Sequence, residues 1–514
     1  MKINIVGGGP AGLYFALLMK KLDRANEVHV FERDPAHNTY GWGIVLSQRT
    51  VGRLRGADFE SYLDIEDIAE SWEDVDVVHR GEMISVGGND FFGVERIRFL
   101  NVLQERAREL DVNLHFETDI QDVDSLRDAD LLVGADGLKS TVRQAYRDEF
   151  RPQSDVRKNK YVWYGTPQRF NGLTMMFKRH PDGLYIAHAY RFRPDMSTFI
   201  VECDPATWSN AGFGSMGEEE AASYLAEVWK EELDGQPLRT NRSLWYNFDL
   251  IRNTHWYFDN VVLIGDALHS VHFSIGSGTK LAVEDAIWLA GTFAENDTVS
   301  ESLKKFEKQR KLKIDAFQDA ALDSLLWLEE VDEYMDLEPL GFTYELMTRS
   351  NRITHRRLKD QDPEFLKRYE AWRREHEGPI HHEFLDLFEK KSYGHLATLL
   401  KGGQPHVTPV WASYDGEHVL VNSAKGRQKD LNMRRRRKVA IDIVDPDNPN
   451  RYVGVRGEVV EITQEGADEH LDELAQRYLE RDRYPPSWRF PGEIRQIYKI
   501  KPDRVVHWDP FGGW

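Results

Sequence analysis

A short apolar strand, Lys2-Ile-Asn-Ile-Val6, runs into Gly7-Gly-Gly9-Pro-Ala-Gly12 and then into an apolar helical stretch over residues 13–19. A strand, a glycine turn and a helix whose first turn points back at the glycines form a dinucleotide cradle. Gly7 permits the sharp turn, Gly9 lets backbone approach a pyrophosphate, and Gly12 lets the helix pack close to the strand. The helix start adds unpaired N–H groups and the positive end of a dipole. The second strand, Glu27-Val-His-Val-Phe31, ends at Glu32, where an acidic side chain is expected on the ribose hydroxyls. On these residues alone NAD and FAD both remain open.

The cradle occupies only the first part of 514 residues, so two or three domains are expected. A net charge of −19 argues against non-specific nucleic-acid binding and against a basic membrane surface. The single cysteine, Cys203, rules out a disulfide framework and a cysteine-based metal site, and a reducing cytoplasm is the expected compartment. No basic leader and no run of membrane-spanning length is expected.

Two further strand ends extend the pattern. Asp130-Leu-Leu-Val-Gly-Ala-Asp136-Gly137 is an apolar strand ending in Asp-Gly, followed by a helix start that Ser140 can cap. Asn260-Val-Val-Leu-Ile264 ends in Gly265-Asp266, and Gly276-Ser277-Gly278 leads into another helix. Aspartates at the carboxyl ends of such strands face the ligand crevice, and Asp266 can take sugar or ribityl hydroxyls. Between these lie Gly41-Trp42-Gly43, readable as a loop flat against a planar ligand or as a simple turn, and a helix over 94–110. Arg96 at its start is either solvated or reaches a phosphate.

In this order the three strand-end motifs resemble the single-component aromatic-ring monooxygenases that hold FAD, over roughly residues 1–372. The resemblance rests on Gly7-x-Gly9-x-x-Gly12 with Glu32 and Arg33, on Asp136-Gly137 with Arg143, and on Gly265-Asp266 with its glycine-rich helix start. It implies FAD held by Gly7, Gly9, Gly12, Glu32, Arg33, Gly43, Arg96, Asp136, Gly265, Asp266, Gly276 and Gly278, with NADH or NADPH visiting transiently and molecular oxygen as co-substrate. The variant Phe273-Ser-Ile-Gly276-Ser-Gly278-Thr-Lys280, with His188-Ala-Tyr190, Ser197-Thr-Phe-Ile-Val-Glu202 and Asn241-Arg242-Ser243, looks like the branch acting on salicylyl-CoA and anthraniloyl-CoA. Hydroxylases of indole-type precursors are similar in the same loops.

The implied fold is an α/β FAD-binding, Rossmann-like domain of the aromatic-hydroxylase type (parts 1–155 and 256–300). A substrate-covering β-sheet lies over 156–255 and a helical part over 300–372. Alternating aromatic and polar residues such as Leu184-Tyr-Ile-Ala-His188-Ala-Tyr190 support the sheet, since transfer of oxygen to an electron-rich ring needs a water-poor pocket. His188, Tyr190 and His272 are the catalytic candidates, able to orient or deprotonate a ring substituent; otherwise they are satisfied core residues. The acidic stretch 329–338 reads as a solvated face.

Residues 373–382, polar and containing Gly378-Pro379, read as a linker. His381 and His382 sit there without a third ligand of suitable spacing, so no metal is expected. Beyond them, short alternating strands joined by tight glycine turns predict a closed antiparallel barrel of about six strands. Residues 383–514 resemble the split barrels of the pyridoxamine-phosphate-oxidase-like superfamily, whose members bind FMN or a deazaflavin. The resemblance assigns the cofactor phosphate to Arg427, Lys429 and Asn432, and physically Arg427 and Lys429 offer a phosphate clamp. The run 434–438 is a solvated helix face or recruits an anionic tail. The leading reading is a bifunctional enzyme whose FAD domain hydroxylates an aryl thioester and whose barrel reduces the product. Alternatives are a barrel that supplies reduced flavin, or a non-catalytic dimerisation or binding module; a homodimer through the barrel is expected.

Overall fold

The computed structural model describes every residue except Tyr40, Ser277, Phe511 and Trp514. The chain divides into two compact units, Met1–Arg352 and Ile353–Trp514.

In the first unit a six-stranded sheet runs in the order Tyr257–Phe258, Val261–Leu263, Leu131–Gly134, Lys2–Val6, Glu27–Phe31, Asn113–His115. Its neighbours are parallel except at the Tyr257–Phe258 edge. Leu131–Gly134, an interior strand between Val261–Leu263 and Lys2–Val6, is buried throughout, which is why it reads as a continuous apolar run. Helix Pro10–Leu22 is buried from Ala11 to Lys20. The expected helix after Val94 spans Arg96–Glu109 and opens on Arg96.

The second sheet has seven strands, in the order Tyr246–Asn253, Pro152–Thr166, Met196–Cys203, Gly183–Arg193, Leu173–His180, Val75–His79, Glu82–Val86. Side chains alternate between its faces. Val162, Tyr164, Tyr185, Phe199 and Val201 belong to one core with Ala221, Leu225 and Trp229, while His188 and Glu202 belong to the alternate set. The sheet is therefore wider than 156–255: the hairpin Val75–Val86 joins it through a parallel pairing of Val75–His79 with Leu173–His180. The acidic stretch is not simply a solvated face either. Glu329, whose side chain is fully buried, accepts from Lys158 N at 2.9 Å and Arg157 Nη2 at 2.6 Å, anchoring the bulge in Pro152–Thr166.

In the second unit, seven strands form an antiparallel sheet ordered Pro405–Val410, Gly394–Leu399, Lys438–Val444, Tyr452–Thr463, Arg495–Trp508, Val419–Ala424, Ala412–Tyr414. The two edge strands follow one another in the chain, separated only by Trp411, so the sheet curls round on itself. Among the described residues no ladder joins them, which makes this a split barrel of seven strands rather than a closed one of about six. The unit begins earlier than the linker at 373–382 would place it. Helices His355–Gln361 and Pro363–His376 belong to it, and Arg373, Ile380 and His381 are at most 1% exposed. Ile380 is part of the barrel core, and Arg373 Nη1 donates to the Gly378 carbonyl at 3.0 Å, so this polar stretch is packed. No helix among the described residues is long and apolar enough to cross a membrane.

Candidate active site and cofactor cleft

The strand ends converge on a cleft of about 230 Å³ lined by Gly7, Gly9, Glu32, Arg33, Arg96, Asp136, Asp266 and Gly278, with Pro10 and Ala11 at the start of the first helix. Gly7 has φ +108°, and a Cβ there would collide with the Ala135 carbonyl. A Cβ at Gly12 would strike the Gly7 carbonyl oxygen and come within 3.2 Å of Ile5 Cγ2. Gly9 differs: a Cβ there meets nothing within 4 Å, because this face of the turn opens into the cleft. Gly9 caps the helix without a side-chain hydrogen bond and no acidic side chain lies in the first turn, leaving the positive helix end to a ligand. These features fit a dinucleotide pyrophosphate.

Glu32 braces the turn, accepting from Gly8 N at 2.7 Å and Asp34 N at 2.9 Å. Asp136 accepts from Ser140 Oγ at 2.5 Å and from the amides of Thr141 and Val142, while Ser140 caps the helix through Arg143 N at 2.9 Å. Burial raises the Asp136 carboxyl against these bonds. Arg143 turns away from the cleft and donates to the Ala267 carbonyl at 2.8 Å. The Gly265-Asp266 turn is held by a residue to which sequence reasoning gave no role. Buried Asp285 accepts from Gly265 N at 3.1 Å, meets His269 Nε2 at 2.7 Å and takes Arg310 Nε at 3.0 Å.

Gly43 has a different job from the one expected. Its N–H donates to Thr198 Oγ1 at 2.9 Å and its carbonyl accepts from Tyr190 OH at 2.7 Å, and a Cβ would press on Phe192 at 2.6 Å. The rings packed against this loop are the protein's own: Gly41 sits against Trp163, and Trp42 against Gly165. Tyr190 is accordingly a positioning residue for the loop, not a free phenol. Gly276 ends a short turn in the left-handed region, beside Val45, and does not line the cleft.

The face of the second sheet that carries His188 meets Phe273, whose ring lies 5.2 Å from His188, 4.0 Å from His272 and 4.9 Å from Tyr161. Behind His188 stands Glu202, also without a role in the sequence reading: Oε2 is 3.3 Å from His188 Nε2 and Oε1 accepts from Asn159 Nδ2 at 2.9 Å. Burial would raise Glu202, but His188, His272 and Asn159 outweigh it and hold the carboxylate below its ordinary value. His272 is pulled down to about 4, chiefly by burial, with Glu202 opposing. It is neutral at pH 7, and its Nδ1 accepts from Ser274 N at 3.3 Å.

A profile for an FAD binding domain matches residues 1–321, and one for pyridoxamine 5′-phosphate oxidase matches 380–509. Salicyloyl-CoA 5-hydroxylase of a Streptomyces species is 38% identical over 74% of this chain and 76% of its own length. Protodeoxyviolaceinate monooxygenase of Chromobacterium violaceum is 36% identical over 69% of this chain and 95% of its own. The chain belongs to the FAD-dependent aromatic monooxygenases. A solved 2-methyl-3-hydroxypyridine-5-carboxylic acid oxygenase shares the fold of this monooxygenase, with a TM-score of 0.55 and 17% identity over 70% of this chain and 98% of that one.

In the barrel of the monooxygenase, Lys429 is brought down to about 8, mostly by burial, with Arg427 and Arg495 adding to it. Ser423 Oγ is buried without a hydrogen-bond partner. A partly buried ammonium flanked by Arg427 and Arg495, and an orphaned hydroxyl at the end of the strand Val419–Ala424, are groups that suit the phosphate of a flavin-like cofactor. Arg427 is partly neutralised by Glu493 at 3.2 Å. Asn432 does not belong to this set: fully buried, it donates to Thr398 Oγ1 at 3.0 Å and accepts from Gln428 Nε2 at 2.8 Å. A third donor does stand near His381 and His382, since Glu383 brings ligand atoms within 4.8 Å of theirs. Both His381 ring nitrogens are engaged, however, Nε2 with Tyr369 OH at 3.0 Å and Nδ1 with Glu383 N at 3.3 Å.

Both units carry buried imidazoles that resist protonation, His272 in the first and His470, also about 4, in the second. An unfolded histidine takes up its proton near 6.5, so each ring favours the unfolded chain as pH falls below that value, until the folded ring also protonates near 4. Calorimetry at pH 7 and pH 5 should show both units less stable at pH 5, by about 1–2 kcal/mol per ring. Equal melting at the two pH values would refute it.

Proposed function

We propose that this monooxygenase hydroxylates an aromatic ring carried as a CoA thioester, at the expense of NADH or NADPH, and that its barrel reduces the oxygenated product with FMN or a deazaflavin. The polar set on the Phe273 side of the sheet carries the first part: His188 backed by an ionised, fully buried Glu202, and a neutral His272 across the same ring. The similarity to salicyloyl-CoA 5-hydroxylase supports the thioester. Bound FAD supplies the redox chemistry, reaction with oxygen and transfer of one oxygen atom to the ring. Gly7, Gly9 and the first helix would hold its pyrophosphate, with Glu32 and Asp266 toward its hydroxyls.

His188 takes a hydrogen bond or a proton from the ring's donor substituent, and the negative Glu202 stabilises the cationic imidazole that results. Phe273 and the buried Ile186 and Ile200, which alternate onto the His188 face, keep water away from the ring. Oxygen insertion ortho or para to the donor can give a non-aromatic enone, which hydride from a second reduced cofactor would complete. Lys429 and Ser423 support that reading of the barrel, and the exposed Trp488 and Phe490 near Glu493 support pairing of two barrels.

Aryl-CoA thioesters should accelerate NAD(P)H oxidation by the full-length protein where the free acids do not; stimulation by free acids alone defeats the thioester. Lys429→Ala should lose FMN or deazaflavin while keeping FAD, as read by cofactor extraction. Purification with FAD alone, and no uptake of either second cofactor, overturns the barrel's redox role.

A further inference from the structure

Two helices of the first unit bring together cations that the cofactor cleft does not use. Arg49 and Arg53 lie one turn apart on Gln48–Ala57, and Lys280 and Glu284 one turn apart on Gly278–Glu295. Gly278, Thr279 and Ala282 face the cleft, whereas Glu284 turns toward Arg53 and Arg310. Its Oε2 is 2.6 Å from Arg53 Nη1 and 3.1 Å from Arg310 Nη1, so this carboxylate is already shared. Lys280 Nζ sits 5.0 Å from the centroid of Phe317, and the guanidinium carbon of Arg352 lies 4.0 Å from the same centroid.

Lys280 is half-buried, and among the described residues no carboxylate oxygen comes within 4.0 Å of its ammonium. Burial draws it down to about 8, and Arg352, Arg49 and Arg53 add to that against Glu284. Like charges crowded on partly desolvated helices repel one another, and an anion that enters relieves the repulsion. Arginine forks and an ammonium are the donors that phosphate oxygens accept from best. Cations also connect this junction to the substrate face. Arg349 Nη2 donates to the Ser274 carbonyl at 3.0 Å, in the turn that carries His272 and Phe273, and Arg352 follows three residues on in the chain, past the end of the helix Pro339–Thr348.

We propose that Arg49, Arg53 and Lys280, with Arg352, form a binding site for the phosphate groups of a nucleotide-bearing tail, either that of a CoA thioester substrate or that of the nicotinamide cofactor. The first source rests on the aryl-CoA reading; the site itself does not. A tail held here would fix the thioester end while the ring lies against Phe273, so binding energy from a remote group would orient the reacting one.

Adenosine 3′,5′-bisphosphate serves as the probe, titrated by calorimetry into the full-length FAD-loaded protein. Arg49→Ala and Lys280→Gln should each weaken its binding about tenfold, the loss of one charge-assisted hydrogen bond. Arg55→Ala removes a charge from the same helix outside the cluster and should change it less than about twofold. Arg49→Lys should recover part of the affinity. Kinetics then assign the source: a KM that rises for aryl-CoA but not for the S-aryl pantetheine thioester names the substrate tail, and one that rises for NAD(P)H names the cofactor. No binding of the bisphosphate by the wild type, or equal binding by wild type, Arg49→Ala and Lys280→Gln, overturns the site. Failure of thioesters to stimulate the wild type sinks only the aryl-CoA reading.

Discussion

Gly9→Ala is expected to leave the first unit folded and deprive it of FAD, whereas Gly12→Ala is expected to damage the fold itself. The two glycines stand three residues apart in one motif, yet their surroundings are opposite. A Cβ at Gly12 meets the Gly7 carbonyl, Ile5 Cγ2 and Ala135 Cβ, all parts of the packed strand layer. Relief requires the helix Pro10–Leu22 to move off the sheet, and overpacking of this kind costs about 1–3 kcal/mol. A Cβ at Gly9 meets no atom of the protein, and the backbone there, at φ −78°, is open to any residue. The methyl group projects instead into the open cleft, where the proposed pyrophosphate would lie. Losing close approach to one phosphate forfeits charge-assisted hydrogen bonds worth about 1.5–3 kcal/mol, so FAD affinity should fall about tenfold to a hundredfold. Thermal melting of the apoprotein and fluorescence titration with FAD separate the two outcomes. Wild-type FAD affinity in Gly9→Ala would show that the pyrophosphate does not lie over this turn.

That contrast also shows which features could be read from the chain. Gly7 to Gly12, the Asp136 strand end and the Gly265-Asp266 strand end are local: each is a continuous apolar strand followed at once by its turn, and the period of the pattern carries the assignment. The Val75–Val86 hairpin escaped because what places it is a pairing with Leu173–His180, nearly a hundred positions away. Asp285 and Glu202 escaped for a related reason. A carboxylate inside an amphipathic helix or an alternating strand reads as solvated, and only tertiary packing puts Arg310 and His269 around one and His188 and Asn159 around the other. Gly378-Pro379 among charged residues has the composition of a linker, but Arg373 satisfies the Gly378 carbonyl and Ile380 enters the barrel core. Gly43 and Asn432 have the residue types expected of ligand contacts, and both spend their polar groups on their own protein.

Glu202→Gln should cost more activity than any single change to His272 or Tyr190, with a pH signature that a merely structural role would not produce. In the proposed reaction Glu202 acts through His188, as a positioning residue. In that reaction its negative charge, 3.3 Å from His188 Nε2, would favour the imidazolium that forms if His188 takes a proton from the ring substituent. Gln keeps the shape and can still accept from Asn159, but it removes that charge. A positioned acid–base group typically contributes about 10²–10⁴-fold, so kcat should fall at least about a hundredfold. Less hydroxylated product should form per NAD(P)H consumed, because a ring that is not activated competes poorly for the oxygen.

The charge also matters to its neighbours. Arg349, brought to about 10 by burial, has Glu202 as the opposing influence, and His272 loses the same support. The sign of the stability effect follows from the direction of the Glu202 shift. Its carboxyl is lowered in the folded state from an ordinary 4.5, so the stability it contributes is present above that value and is lost as pH falls through the folded one. Denaturant unfolding should therefore find wild type more stable than Glu202→Gln at pH 7, by about 1–3 kcal/mol, with the gap narrowing once the pH drops below 4.5. Glu202→Asp, which keeps the charge on a shorter stem, should recover part of the turnover and the pH dependence. A Gln variant with wild-type kcat and coupling across pH 6–9 would remove Glu202 from the reaction and leave His188 acting alone.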